Sequence, residues 1–189
     1  IGIIPAHAIG HRGDKFGYVN LYANGGSVNG NVILGVNNDR HPCTITSTGS
    51  GRTAFNGTVT VYPGITIQNG TFNDTVINNG TITGGTFTDT VVNNGAITGG
   101  EFTTVINSES GTTAESVSVS HLKFIVTFDN GCGTTMETVD KGSKLPAPIA
   151  PTKEGYLFDG WYYDNNGTQT TWDFDKDTVK SSMTLTAQW

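Results

Sequence analysis

The chain has 189 residues, a net charge of −6 and only 14% charged residues. Residues 1–120 hold four Lys/Arg against seven Asp/Glu and residues 121–189 six against nine, so each part carries −3 and neither has the basic face that a nucleic-acid partner needs. No apolar run approaches the length of a membrane span, and 26 glycines fit a turn-dense all-β chain better than a helical one.

In chain order, Ile1 is not preceded by a charged and apolar leader, which reads as a mature or trimmed piece. Ala6-His7-Ala8 has the outline of a signal-cleavage site, but too short an apolar run precedes it. Residues 1–30 lack the repeat described below, and Ile1 to Tyr22 is the candidate cap that a solenoid end requires. Arg12-Gly13-Asp14 is the integrin tripeptide, but three residues carry little information and an exposed glycine turn is the expected reading. Val32-Ile33-Leu34 and Cys43-Thr44-Ile45 look like irregular early coils. Phe55-Asn56-Gly57-Thr58-Val59 resembles Phe72-Asn73-Asp74-Thr75-Val76, so coils are expected before the clean repeats begin.

Residues 67–107 say nearly the same thing three times. Phe72, Phe87 and Phe102 recur every 15 residues, as do Ile67, Ile82 and Ile97. The third copy lacks one residue between Phe102 and Val105, where the others carry Asp74 and Asp89, and a deletion there suggests a corner. A fixed short period means a stacked array. Thr, Val, Ile and Phe favour strand over helix, while Asn-Gly and Gly-Gly pairs supply tight corners. Such a unit holds one coil of a parallel β-solenoid (β-helix), made of two or three short strands with bends between them. Alternation then turns the Phe and Ile columns inward, and Thr83, Thr98, Thr71, Thr86 and Glu101 outward. Asn78, Asn93 and Asn107 stack at one corner, where amide can bond amide along the axis. The solenoid with its cap is expected over residues 1–107.

Residues 108–122 read as a polar linker or a last edge strand through Val117 and Val119. From 123 to 189 the period stops and aromatics, Lys and Pro appear. Phe124, Val126 and Phe128 alternate as a half-buried strand. Asp129-Asn130-Gly131 turns it into a second strand, Met136 to Val139. Tyr156 to Phe158 and Trp161-Tyr162 make a third, with Gly160 as a bulge that lets Phe158 and Trp161 share one core. Phe174 to Ser181 suggests one or two helical turns. Met183, Leu185, Ala187 and Trp189 alternate as a last strand.

The C-terminal segment resembles the Listeria–Bacteroides repeat, the B-repeat of internalin-type surface proteins. The resemblance rests on Val126-Thr127-Phe128-Asp129-Asn130-Gly131, Pro151-Thr152-Lys153-Glu154-Gly155-Tyr156, Phe158-Asp159-Gly160-Trp161-Tyr162, Trp172-Asp173-Phe174 and Met183-Thr184-Leu185 closing at Ala187-Gln188-Trp189. It covers residues 124–189, about a third of the chain. Cys132 stands where the family has Gly or another small residue. The resemblance implies a small α+β, β-grasp-like module of secreted bacterial surface proteins, without catalytic residues or cofactor, and leaves residues 1–120 unassigned.

Chemistry-bearing residues are sparse. Asp173, Asp175 and Asp177 start like a calcium loop, but position six is Thr178 rather than Gly and position twelve Thr184 rather than Glu, so no metal is expected. His7, His11, His41 and His121 have no ligand spacing. Cys43 and Cys132 lie far apart and read as separate thiols. Asn-x-Thr sequons at Asn56, Asn69, Asn73, Asn79 and Asn166 follow from an Asn- and Thr-rich composition. Asp74 and Asp89 are corner residues unless a substrate groove runs along that corner and makes them an acid/base pair. Three function classes remain. One is a non-catalytic stalk or adhesin, secreted or on the cell surface, meeting an extracellular protein or glycan. One is a glycan-binding module using Tyr18, Tyr22 or Tyr62. One is a polysaccharide-active β-helix enzyme. The first is expected, with no enzyme activity and no assigned ligand residues.

Overall fold

The computed structural model describes residues 20–22, 26–34, 43–46 and 53–189, with the backbone alone at 20–22 and 43–46. The chain divides into two compact units, residues 1–121 and 122–189. Among the described residues every regular element is a strand.

The first unit is a parallel solenoid. Each coil contributes one strand to each of three faces. The coils are β1 (Asn20–Tyr22), β2 (Ser27–Asn29) and β3 (Val32–Leu34); β4 (Cys43–Thr46), β5 (Ala54–Asn56) and β6 (Val59–Val61); β7 (Ile65–Ile67), β8 (Thr71–Phe72) and β9 (Val76–Asn78). In the next two, β10 (Thr81–Ile82) precedes β11 (Thr86–Asn93), and β12 (Ala96–Ile97) precedes β13 (Glu101–Asn107). β14 (Thr112–Thr113) adds a further rung beside β12. Successive strands pair in parallel and in register, Thr66 on Thr81 on Ala96 and Val76 on Val91 on Val105.

Register decides the core. Because identical positions sit one above the other, Phe55, Phe72, Phe87 and Phe102 stack with ring centroids 4.8, 4.6 and 4.6 Å apart and planes within 8°, the spacing of paired strands. Ile67, Ile82 and Ile97 form a second buried column, and Val59, Val76, Val91 and Val105 a third. The columns follow the expected alternation. A difference lies at the corner after the Phe column. In the last two coils the strand runs on through it, so β11 and β13 are eight and seven residues long. Their register shifts between Phe87 and Thr90, where the shorter coil lacks a residue. The deletion is thus absorbed as a bulge in a continuous strand, which a parallel ladder tolerates without breaking the columns on either side.

The corner after the Val column is closed by asparagine. Asn78 and Asn93 are fully buried and Asn107 nearly so. Nδ2 of Asn78 donates to Asn93 Oδ1 and Nδ2 of Asn93 to Asn107 Oδ1, both at 2.7 Å. Oδ1 of Asn78 and Asn93 also accept the backbone N–H of Gly80 and Gly95 at 3.1 and 3.2 Å. One coil earlier Val61 occupies the same register position, and there the corner is longer, Tyr62-Pro63-Gly64, with Gly64 at φ 87° and Ile65 N–H donating to Tyr62 O. Glycine is required at the short corner: a Cβ on Gly95 would lie 2.1 Å from Gly80 O.

Of the expected cap, residues 1–19 lie outside the described residues. Its last three residues form β1, which pairs β4 in parallel as an ordinary rung, because the strand register already extends that far. The polar stretch 108–122 contains β14 and the start of β15 (Ser118–Asp129).

The second unit is one mixed sheet of β15, β16 (Thr134–Asp140), β17 (Gly160–Asn165), β18 (Thr168–Thr171) and β19 (Met183–Gln188), in the order β16-β15-β19-β17-β18. β15 and β19 are parallel and the other pairs antiparallel. One face is covered by the connections, and the core holds Phe124, Val126, Phe128, Leu145, Trp161, Trp172, Val179 and Leu185. Phe158 and Trp161 meet edge to face at 5.7 Å across Gly160 at φ 144°. Two expectations are corrected. Tyr156-Leu157 is not strand: both are exposed in a turn whose N–H from Tyr156 reaches Lys153 O, and β17 begins only at Gly160. The helical contribution expected at 174–181 is a single turn, Asp177 N–H to Asp173 O at 2.7 Å. The carboxylates that bond its first backbone groups also end it, since Asp side chains compete with helix continuation.

Candidate interaction surface

Chemistry on this chain has to work from the strand faces, so the outward positions matter most. On the face of β3, β6, β9, β11 and β13, the register brings Ile33, Thr60, Ile77, Val92 and Ile106 into one outward column. Ile33 is 47% exposed and the others half-buried. Beside it run Thr58, Thr75, Thr90 and Thr104, also half-buried. The result is a flat, uncharged stripe of aliphatic and threonine side chains at the strand spacing of about 4.8 Å. Sequence reasoning missed it, although the signal was present. Val-Ile-Asn, Val-Val-Asn and Val-Ile-Asn each hold two adjacent apolar residues, and a pleated strand can turn only one inward.

The acids at the neighbouring corner serve the backbone. Asp74 Oδ1 accepts Thr75 N–H and Asp89 Oδ1 accepts Thr90 N–H, each at 2.6 Å. Glu101 Oε2 accepts the Thr86 hydroxyl at 3.3 Å. On the face of the Phe column, Asn73 Nδ2 donates to Asn56 Oδ1 and Asn56 Nδ2 to Asn29 Oδ1, at 2.8 and 2.9 Å, an exposed ladder. Asn79 Nδ2 donates to Val61 O at 3.1 Å. Three sequon asparagines, Asn56, Asn73 and Asn79, therefore already donate one side-chain N–H within the solenoid. Asn166 sits at φ 53° in the turn between β17 and β18. Tyr62 is a half-buried corner residue. Tyr18, the side chain of Tyr22, Arg12-Gly13-Asp14, His7, His11 and His41 lie outside the described residues.

Asp173, Asp175 and Asp177 come together as a turn. Asp173 Oδ1 accepts Asp175 N–H, Asp177 Oδ2 accepts Asp173 N–H, and Lys176 Nζ lies 2.8 Å from Asp173 Oδ2. The lysine contact holds the Asp173 carboxyl below its ordinary value and raises Lys176, so both are charged at neutral pH. The Asp173 and Asp177 carboxylates are thus directed to backbone and lysine within the turn. Elsewhere in this unit Lys153 Nζ lies 4.3 Å from the Tyr156 ring centroid and 5.5 Å from that of Trp189, Ile149 and Leu157 are almost fully exposed, and Cys132 is an exposed free thiol.

Residues 124–188 match the Listeria-Bacteroides repeat domain. A stretch of 69 residues is 41% identical to a protein of Evansella cellulosilytica described as a Gly-rich membrane protein, covering 35% of this chain and 8% of that one. A second membrane protein of that organism is 39% identical over 69 residues, 35% of this chain and 10% of its own length. Internalin H of Listeria monocytogenes is 37% identical over 81 residues, 42% of this chain and 14% of its own. The matched residues thus span a small part of these relatives. Among the described residues no helix is long and apolar enough to cross a membrane.

Proposed function

We propose that the chain is a non-catalytic part of a bacterial surface protein, a stalk or adhesin in which the solenoid spaces and presents and residues 123–189 form a β-grasp-like repeat. The observation that carries this reading is the use of the solenoid's outward side chains. Among the described residues they are mainly Thr, Asn, Ile and Val, which suit strands and ladders but move no protons near neutral pH; of the acids, Asp74 and Asp89 are bonded to the backbone of their own corners and Glu101 accepts the Thr86 hydroxyl. The repeat match, and relatives described as internalin and membrane proteins, support secretion to the cell surface. The β-grasp-like reading is supported by the central parallel pairing of first and last strands, with a hairpin outside each. A protein or glycan outside the cell is the partner class; the acidic balance disfavours nucleic acid and anionic membranes.

The test is a turnover screen on pectin, alginate and arabinan, run beside a matrix-protein and glycan binding screen. The parent and the Asp74→Asn/Asp89→Asn variant should both be inactive. Val92→Asp, which charges the stripe without touching the core, should weaken any partner found. Turnover lost in the double variant would instead make the chain a polysaccharide enzyme.

A further inference from the structure

Strand β16 is the outer strand of the second sheet and pairs only with β15 among the described residues. The ladder ends fix which of its backbone groups face away. Lys141 N–H donates to Leu122 O at one end, and Asn130 N–H to Gly133 O at the other. In an antiparallel pair bonded and unbonded positions alternate. The bonds to β15 therefore fall at Thr135, Glu137 and Val139, and the N–H and C=O of Thr134, Met136, Thr138 and Asp140 point outward. Those four residues are exposed, Met136 at 67%. The strand contains no proline, and its register with β15 is unbroken. Natural sheets usually blunt such an edge; here the only charges on the strand are Glu137 and Asp140, and its outward backbone groups pair with no other strand among the described residues.

Charge selects the occupant. A second copy paired in parallel register, or antiparallel about Glu137, sets Glu137 against itself in a chain of net charge −6, and like charges directly opposite each other are destabilising. A strand with Lys or Arg at that point is favoured instead. Because Glu137 bonds β15, the residue opposite it on an added antiparallel strand occupies the unbonded, closer pair. The flanking residues of that strand bond Met136 and Thr138 and lie on the same face as those side chains, where β-branched apolar groups pack. We infer that β16 takes up an extended segment of a partner protein by strand addition, reading an apolar-basic-apolar alternation. The edge lies within residues 122–189, so the inference does not depend on what the solenoid faces bind.

The probe is a capped Ser-Thr-Val-Lys-Val-Thr-Ser peptide titrated into the full chain, with backbone amide resonances as the readout. Binding should move Thr134 to Asp140, most strongly Met136 and Thr138. Thr138→Pro deletes an outward N–H while leaving the bonds to β15, and should weaken binding about tenfold or more. The same loss is expected when the peptide's Lys is changed to Glu. Glu137→Lys should reverse that preference, and this variant decides the matter if the proline variant melts early. The inference is overturned if no edge resonance moves or if Thr138→Pro, folded, binds as well as the parent. It is also overturned if Glu137→Lys leaves the preference unchanged. Edge shifts that grow with protein concentration alone would assign the strand to a second copy.

Discussion

Phe87 sits inside the solenoid's phenylalanine column, with Phe72 and Phe102 each 4.6 Å away and 2% of its surface exposed. It has no room to relax, because the rings above and below are held by their own strands. Phe87→Ala should therefore cost about 3–5 kcal/mol as an unfilled cavity, read as a drop in the urea midpoint. A variant as stable as the parent would remove the stack from the core. The same packing explains why Gly95 must lack a side chain: its backbone passes against Gly80 O.

At the scale of an element, the asparagine ladder is the device that makes a short corner repeatable. Asn93 accepts from Asn78 and Gly95 and donates to Asn107 and to Thr112 O. Asn93→Ala removes the acceptor that the Asn78 side chain and the Gly95 backbone N–H share in a buried corner. At roughly 1–3 kcal/mol for each unsatisfied group, the loss should reach about 3 kcal/mol or more, measured by chemical denaturation. Loss below about 1 kcal/mol would mean that water replaces the ladder. The open edge of β16 is the opposite case, an element whose unused backbone groups are functional capacity rather than structure.

For the whole molecule, all three tryptophans, Trp161, Trp172 and Trp189, lie in residues 122–189, and the solenoid core is built on Phe, Ile and Val. Tryptophan emission therefore reports the second unit, while far-ultraviolet dichroism follows both. We expect limited proteolysis to release a folded fragment starting near Leu122 that keeps the parent's tryptophan transition, as two separately cored units should. Unfolding of both units together after any cut between 108 and 122 would contradict this. The repeat match covers only the second unit, so the solenoid's role must be tested on its own faces.

The sequence by itself determined the period, the inward Phe and Ile columns, the asparagine stack at one corner and the family resemblance of residues 124–189. Each depends on alternation or spacing within a few residues, which the pleat enforces wherever the strand goes. Tertiary structure alone decided the rest. That Leu157 is exposed while Phe158 joins the core depends on where β17 meets β19. β18 was unread because Thr-Gln-Thr-Thr has no apolar alternation; it is a strand because β17 pairs with it. The column of Ile77, Val92 and Ile106 exists only once coils stack in register, and the open edge of β16 only once β15 has taken β19 on its other side. Such pairings join residues far apart in the chain, and their energy lies in the assembled sheet, where local propensity carries no trace of it.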